Sequence, residues 1–115
     1  MPSRNYFHLH LISDSTGETL IAVSRAVTSQ YPGISAIEHV HPLVRAQSQM
    51  DRIINSLENS PGIVLYTLVD EDLAGRLETA CREHGCPCLS ILDPVLGLFQ
   101  SCLLYTSDAA DDTPC

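Results

Sequence analysis

Apolar residues along the chain switch repeatedly between two spacings, and the switches mark its elements. Phe7, Leu9, Leu11 and Ile12, interleaved with His8 and His10, read as a strand, and Ser13-Asp14-Ser15-Thr16-Gly17 then supplies turn and cap chemistry. Leu20, Val23, Ala26 and Val27 recur every three or four residues, which lays one apolar stripe along a helix that stops near Tyr31-Pro32-Gly33. Residues 34–40 alternate and predict a second strand, ended by Pro42. Met50, Ile53, Ile54 and Leu57 have helical spacing within residues 44–60, and Asn59-Ser60-Pro61-Gly62 stops that helix. Ile63-Val64-Leu65-Tyr66 is a continuous apolar run, the pattern of a strand covered on both faces. Asp70-Glu71-Asp72 puts carboxylates on the first turn of a third helix, where unpaired N–H groups and the helix dipole favour negative charge. Leu73, Leu77 and Cys81 form its inner face and Gly85 caps its end. Residues 88–92 predict a fourth strand, and Asp93-Pro94 opens a further helical segment.

Regular strand–helix alternation with short connections predicts an α/β fold. Its sheet is mostly parallel, with helices on both faces in three layers, flavodoxin- or Rossmann-like, joined by right-handed crossovers. Periodicity leaves the strand order open. After Gln100 the pattern breaks: residues 102–115 lose all periodicity and look like the translation of a sequencing-adapter end. That segment is expected to be unstructured and to lie outside the folded unit, which then spans residues 1–101.

Composition narrows the chemistry. A length of 115 residues suits one domain, and 44% apolar against 17% charged residues suits a chain that buries a core. All six basic residues are arginines, so a phosphate-loop lysine, a Schiff-base lysine and a lysine general base are all absent. A net charge of −8 opposes nonspecific nucleic-acid binding, which draws on basic side chains to displace counterions. Neither a signal peptide nor a membrane-length apolar span is found. Five cysteines in irregular spacing oppose a disulfide framework and suit a reducing, cytoplasmic setting. Cys86-Pro87-Cys88 is C-x-C, read as two small residues on one face of a strand.

Ligands of a doubly wound sheet bind outside the carboxyl ends of its strands, which gives the first strand-to-helix loop the most weight. Asp14, Ser15, Thr16, Gly17 and Thr19 offer hydroxyls, a glycine that permits close backbone approach, and a helix N-terminus that attracts anions. A capping box between Ser15 and Glu18 explains the same residues without a ligand. Asp93, after the fourth strand, belongs to the same sheet edge and could face the same crevice, or serve only as a turn and N-cap. Other α/β sites fail on particular residues: the loop has one glycine where a dinucleotide fingerprint needs three, and no G-x-S-x-G elbow occurs. His8-x-His10 and His39-x-His41 each place two imidazoles on one face of a strand, and two such strands could present four, yet nothing requires a metal and ordinary polar partners suffice.

The run from Phe7 to Leu20, FHLHLISDSTGETL, resembles the opening of the pyruvate, phosphate dikinase regulatory proteins. Glu38-His39-Val40, Pro42-Leu43-Val44-Arg45, Leu65-Tyr66-Thr67-Leu68-Val69-Asp70-Glu71 and Leu92-Asp93-Pro94-Val95 are similar to later blocks of that family, in order. The resemblance covers nearly all of residues 6–100. It implies a bifunctional enzyme: a serine/threonine kinase that inactivates the dikinase with ADP as phosphoryl donor, and a phosphorylase that removes the phosphate with inorganic phosphate and releases pyrophosphate. A sister branch acts on phosphoenolpyruvate synthase, but Ser-Asp-Ser-Thr-Gly-Glu-Thr is more like the dikinase branch. Family members are more than twice this long and carry a lysine-containing phosphate loop in their second half, of which this chain has none. The resemblance therefore implies an N-terminal domain that binds no ADP and no metal by itself and is inactive alone. A noncatalytic domain that holds the partner enzyme or a second copy of itself is the other expectation.

Overall fold

The computed structural model describes residues 6–108. Its elements run β1 (Tyr6–Ser13), α1 (Glu18–Thr28), β2 (Ser35–His41), α2 (Gln47–Asn59), β3 (Gly62–Thr67), α3 (Glu71–His84), β4 (Cys88–Ser90) and α4 (Leu92–Asp108). All strand pairs are parallel, in the order β2-β1-β3-β4. The chain leaves β1 outward to β2, crosses back to β3 and continues outward to β4. The winding direction thus reverses between β1 and β3.

Side chains alternate across the pleat and sort into two cores. Ile12, Val64 and Tyr66 pack against Met50, Ile53 and Leu57 of α2 and against Leu73, Leu77 and Cys81 of α3. Leu9 and Leu11 pack on the opposite face against Leu20, with Phe7, Ile21, Ala36, Leu65 and Ile91 at the margin. The second core is the thinner one. Over β3 and β4 it ends in exposed Ile63 and Leu89, so β3 is covered fully on its α2–α3 face alone. The expected burial of Ile63 to Tyr66 on both faces therefore holds only for Val64 and Tyr66 without reserve.

Caps explain most element ends. Asp70 Oδ1 accepts from the Asp72 and Leu73 N–H groups at 2.8 and 3.1 Å, and Gly85 closes α3 in the left-handed region at φ 69°. Helix α2 starts three residues later than its apolar spacing suggests, because the Leu43 and Val44 N–H groups donate to the Ser15 and Ser13 carbonyls instead of starting a turn. Gln49 then caps the true start, its Oε1 accepting from the Arg45 and Ala46 N–H groups. Strand β4 stops at Ser90, not at residue 92, where α4 takes over. Gly62 sits where β3 meets β1: a Cβ there would lie 2.0 Å from the His8 carbonyl oxygen.

Helix α4 continues to Asp108, into the segment expected to be unstructured. Once its first turns exist each further residue adds a hydrogen bond at little cost, and no glycine or proline interrupts residues 98–108. Residues 109–115 lie outside the described part.

Candidate functional site

The carboxyl ends of β1 and β3 flank the point where the winding reverses, which is where open α/β sheets bind ligands. Ser13 and Thr67, the last residues of the two strands, are register partners, and both are buried. Thr67 Oγ1 donates to Ser13 Oγ at 3.1 Å, and Ser13 Oγ also accepts from the Ser15 N–H at 3.0 Å. The Asp14 N–H donates to the Thr67 carbonyl at 3.2 Å, and Asp14 Oδ2 accepts from the Val69 N–H at 3.0 Å. Two loops from distant parts of the chain are thus clasped together. The connection from β2 to α2 adds a third side, with Arg45 Nε donating to the Asp14 carbonyl at 3.2 Å. Leu43, just before it, takes a left-handed φ of 57°.

Around this clasp Asp14 is half-buried, Ser15, Thr16 and Thr19 are exposed, and Gly17 is buried. The Ser15–Glu18 capping box predicted from the sequence does not form. Gly17 itself is the N-cap of α1, at φ 87°, and no side chain caps the helix. Space is not the reason for glycine here, since an added Cβ would meet Val40 Cγ1 at an ordinary 3.5 Å; the left-handed backbone is. Exposed hydroxyls therefore sit beside an uncapped helix start, with the exposed Arg45 guanidinium over the same loop. The Asp14 carboxylate already serves the Val69 amide. Such an arrangement can take up an anion such as a phosphoryl group.

Asp93 stands further along the same edge, beyond β3. Its N–H donates to Ser90 Oγ at 3.2 Å, and it shares no hydrogen bond with the 13–19 loop. It lines a cavity of about 640 Å³ with Tyr66, Glu78, Cys81, Cys88 and neighbouring residues. Tyr66 donates its phenolic O–H to Glu78; burial first, then that carboxylate, pushes the phenol's pKa upward and keeps it protonated.

A feature the sequence hid is the stacking of the histidines. They share the α2–α3 side of β1 and β2, where His10 and His39 are register partners. The His10 ring stacks on His39 at 4.5 Å and on His41 at 5.8 Å between centroids, each at 11°. His8 Nδ1 and His39 Nε2 share a hydrogen bond at 2.9 Å. His10 is fully buried and donates Nε2–H to the Ser60 carbonyl at 2.8 Å, which leaves its Nδ1 bare and unpartnered, as is His41 Nε2. Burial is the main cause that lowers the pKa of His10, outweighing the Ser60 bond, and of His39, with His8 adding to it. It brings His41 down to about 4, helped by His10 and His39. Among the described residues no group of three or more histidines, cysteines and carboxylates is arranged to hold a metal ion. Pairing β1 beside β2 was the missing information, and the H-x-H spacing alone could not supply it.

The family described as Kinase/pyrophosphorylase matches residues 9–111. The chain belongs to that family. Curated relatives that carry the name pyruvate, phosphate dikinase regulatory protein include one from Rhodopseudomonas palustris strain BisB18. It is 61% identical over 99 residues, which are 86% of this chain and 36% of the relative. One from Nitrobacter winogradskyi is 62% identical over 97 residues, 84% of this chain and 35% of that protein. A third, from Sinorhizobium fredii, is 55% identical over 100 residues, 87% and 37% of the two chains. The chain spans about a third of the length of these relatives. Among the described residues no helix is long and apolar enough to cross a membrane.

Proposed function

We propose that this chain is the first α/β domain of a cytoplasmic enzyme that regulates pyruvate, phosphate dikinase. The whole enzyme acts as an ADP-dependent serine/threonine kinase that inactivates the dikinase, and as a phosphorylase that restores it with inorganic phosphate and releases pyrophosphate. The family match over residues 9–111 carries this reading. Within it, the 13–19 loop contacts the phosphoryl group or the target's phosphothreonine, through Ser15, Thr16, Thr19 and the amide end of α1, with Asp14 and Gly17 setting the loop's shape. Asp93 joins from the far side of β3. Support comes from the position of the loop at the winding reversal and from its uncapped helix start. Nucleotide binding belongs to the lysine-containing phosphate loop that this chain lacks.

The test uses the Rhodopseudomonas palustris relative, with the residues matching Asp14 and Thr16 both replaced by alanine. Phosphate incorporation into the dikinase from ADP, and pyrophosphate release on addition of phosphate, are expected to fall at least tenfold with the fold intact. Unchanged rates of both would make the loop purely structural. The present chain alone is expected to transfer no phosphate, and ADP-dependent incorporation by it would overturn the division of labour.

A second reading, a noncatalytic docking or dimerisation domain, is favoured by one observation. The exposed Ile63 and Leu89 of the sheet, and Val95, Leu96, Leu98 and Phe99 of α4, leave apolar surface open. Sizing chromatography with and without the dikinase, or phosphoenolpyruvate synthase as the alternative target, separates a partner-bound domain from a homodimer and from a monomer.

A further inference from the structure

The carboxyl edge of the sheet continues past the 13–19 loop. Leu68 and Val69 follow β3, and the Val69 N–H donates to Asp14 Oδ2 at 3.0 Å, so the loop leads directly into an open groove of about 470 Å³ between α3 and α4. Val69 and Leu96 line this groove and stay 73% and 47% exposed. Gly75 of α3 and Gly97 of α4 line it as well, and a Cβ on either would meet nothing within 4 Å. The facing helices thus leave room for a side chain from another molecule. Glu71, Glu78 and Asp93 line the same groove, and among the described residues no basic side chain does. Glu78 and Asp93 also line the adjoining cavity of about 640 Å³, where the Tyr66 hydroxyl holds the Glu78 carboxylate. The edge is therefore polarised. Arg45 and the uncapped start of α1 lie toward β2 and suit a phosphoryl group, whereas the carboxylates lie toward β4 and repel one.

We propose that the groove between α3 and α4 docks the target's chain beside its phosphothreonine, and that the docked segment carries an apolar side chain next to an arginine or lysine. The proposal rests on the reading that the 13–19 loop meets that phosphothreonine. The apolar side chain lies over Val69, Leu96 and the two glycines. The basic one meets Glu71, Glu78 and Asp93, which gives Asp93 its part in the site. Between walls that are partly apolar, such a charge-assisted contact is stronger than the same pair in open water. An anionic phosphoryl group and a cationic neighbour thus match opposite ends of one edge, so the segment is accepted in one direction only.

The test presents this chain to an array of peptides with a central phosphothreonine, each flanking position varied in turn, and then measures the best of them by fluorescence anisotropy. Arginine or lysine beside an apolar residue is expected to be favoured on one flank only, and glutamate in place of the basic residue to weaken binding at least tenfold. Gly75→Met fills the groove with a residue that favours the helix, and Glu71→Gln removes one of its charges; each should weaken binding at least fivefold. Glu83→Gln makes the same charge change on α3 outside the groove and should leave binding within twofold. No preference for a basic flank, no binding of any phosphopeptide, or a Gly75→Met chain that binds like the parent would overturn the proposal. If unphosphorylated peptides bind as tightly and with the same basic flank, the groove is upheld and the loop's contact with phosphothreonine is what fails. The array on the unaltered chain decides the flank preference even if a variant fails to fold.

Discussion

Lowering the pH from 7 to 5 should weaken this domain through its histidine stack, and His41 sets the scale. The charges that act on its ring are other imidazoles, those of His10 and His39, and its Nε2 is buried without a partner. Its folded pKa of about 4 lies below the ordinary 6.5, so the folded state binds fewer protons than the unfolded chain between those values. Stability is then complete above 6.5 and is lost as the pH falls toward 4. At pH 5 an unfolded imidazole is almost wholly charged and the folded one about a tenth charged, which amounts to about 2 kcal/mol relative to pH 7. Residual solvent around a partly buried ring reduces this to about 1–2 kcal/mol. His10 and His39 are lowered too and act in the same direction. The assay is urea unfolding followed by circular dichroism at both pH values, for the unaltered chain and for His41→Gln. The variant should lose about 1 kcal/mol less than the parent, a difference in midpoint of about 0.5–1 M urea for a domain of this size. Equal losses in the two proteins would refute the reasoning, because carboxylates and the other histidines titrate in both.

Other outcomes follow from close contacts and caps. Gly62→Ala would drive a Cβ to 2.0 Å from a backbone oxygen of the neighbouring central strand, which cannot rotate away. It should cost about 3 kcal/mol or more, or abolish folding, as read by the same urea titration. Asp70→Ala removes the acceptor for two N–H groups at the start of α3 and should cost about 1 kcal/mol, whereas Asp70→Ser should recover most of it.

The fold was legible because each element carries its own period and its own punctuation. Leu73, Leu77 and Cys81 mark a buried helix face, Asp70 its start and Gly85 its end, and all five do so in the structure. Interactions between distant segments were not legible. Leu43 and Val44 look like the start of a helix, but β1 takes up their amides. Ser15 and Glu18 look like a capping box, but a left-handed Gly17 moves the cap two residues on. Likewise the clasp of Ser13 and Asp14 onto Thr67 and Val69 depends on β1 lying beside β3.

The central place of β1 also bears on how the chain is made. It leaves the ribosome before β2, β3 and β4, yet one of its two neighbours, β3, ends at Thr67, 54 residues after Ser13. Through the synthesis of α1, β2 and α2, the buried face of His10 and Ile12 waits for Val64 and Tyr66 to emerge. Nascent chains that stop short of Gly62 hold a two-stranded ribbon with an open edge, the kind of surface that chaperones hold and that aggregates accept. Folding of this domain during translation is therefore gated by the arrival of β3, and slow codons placed just after it would give the sheet time to close.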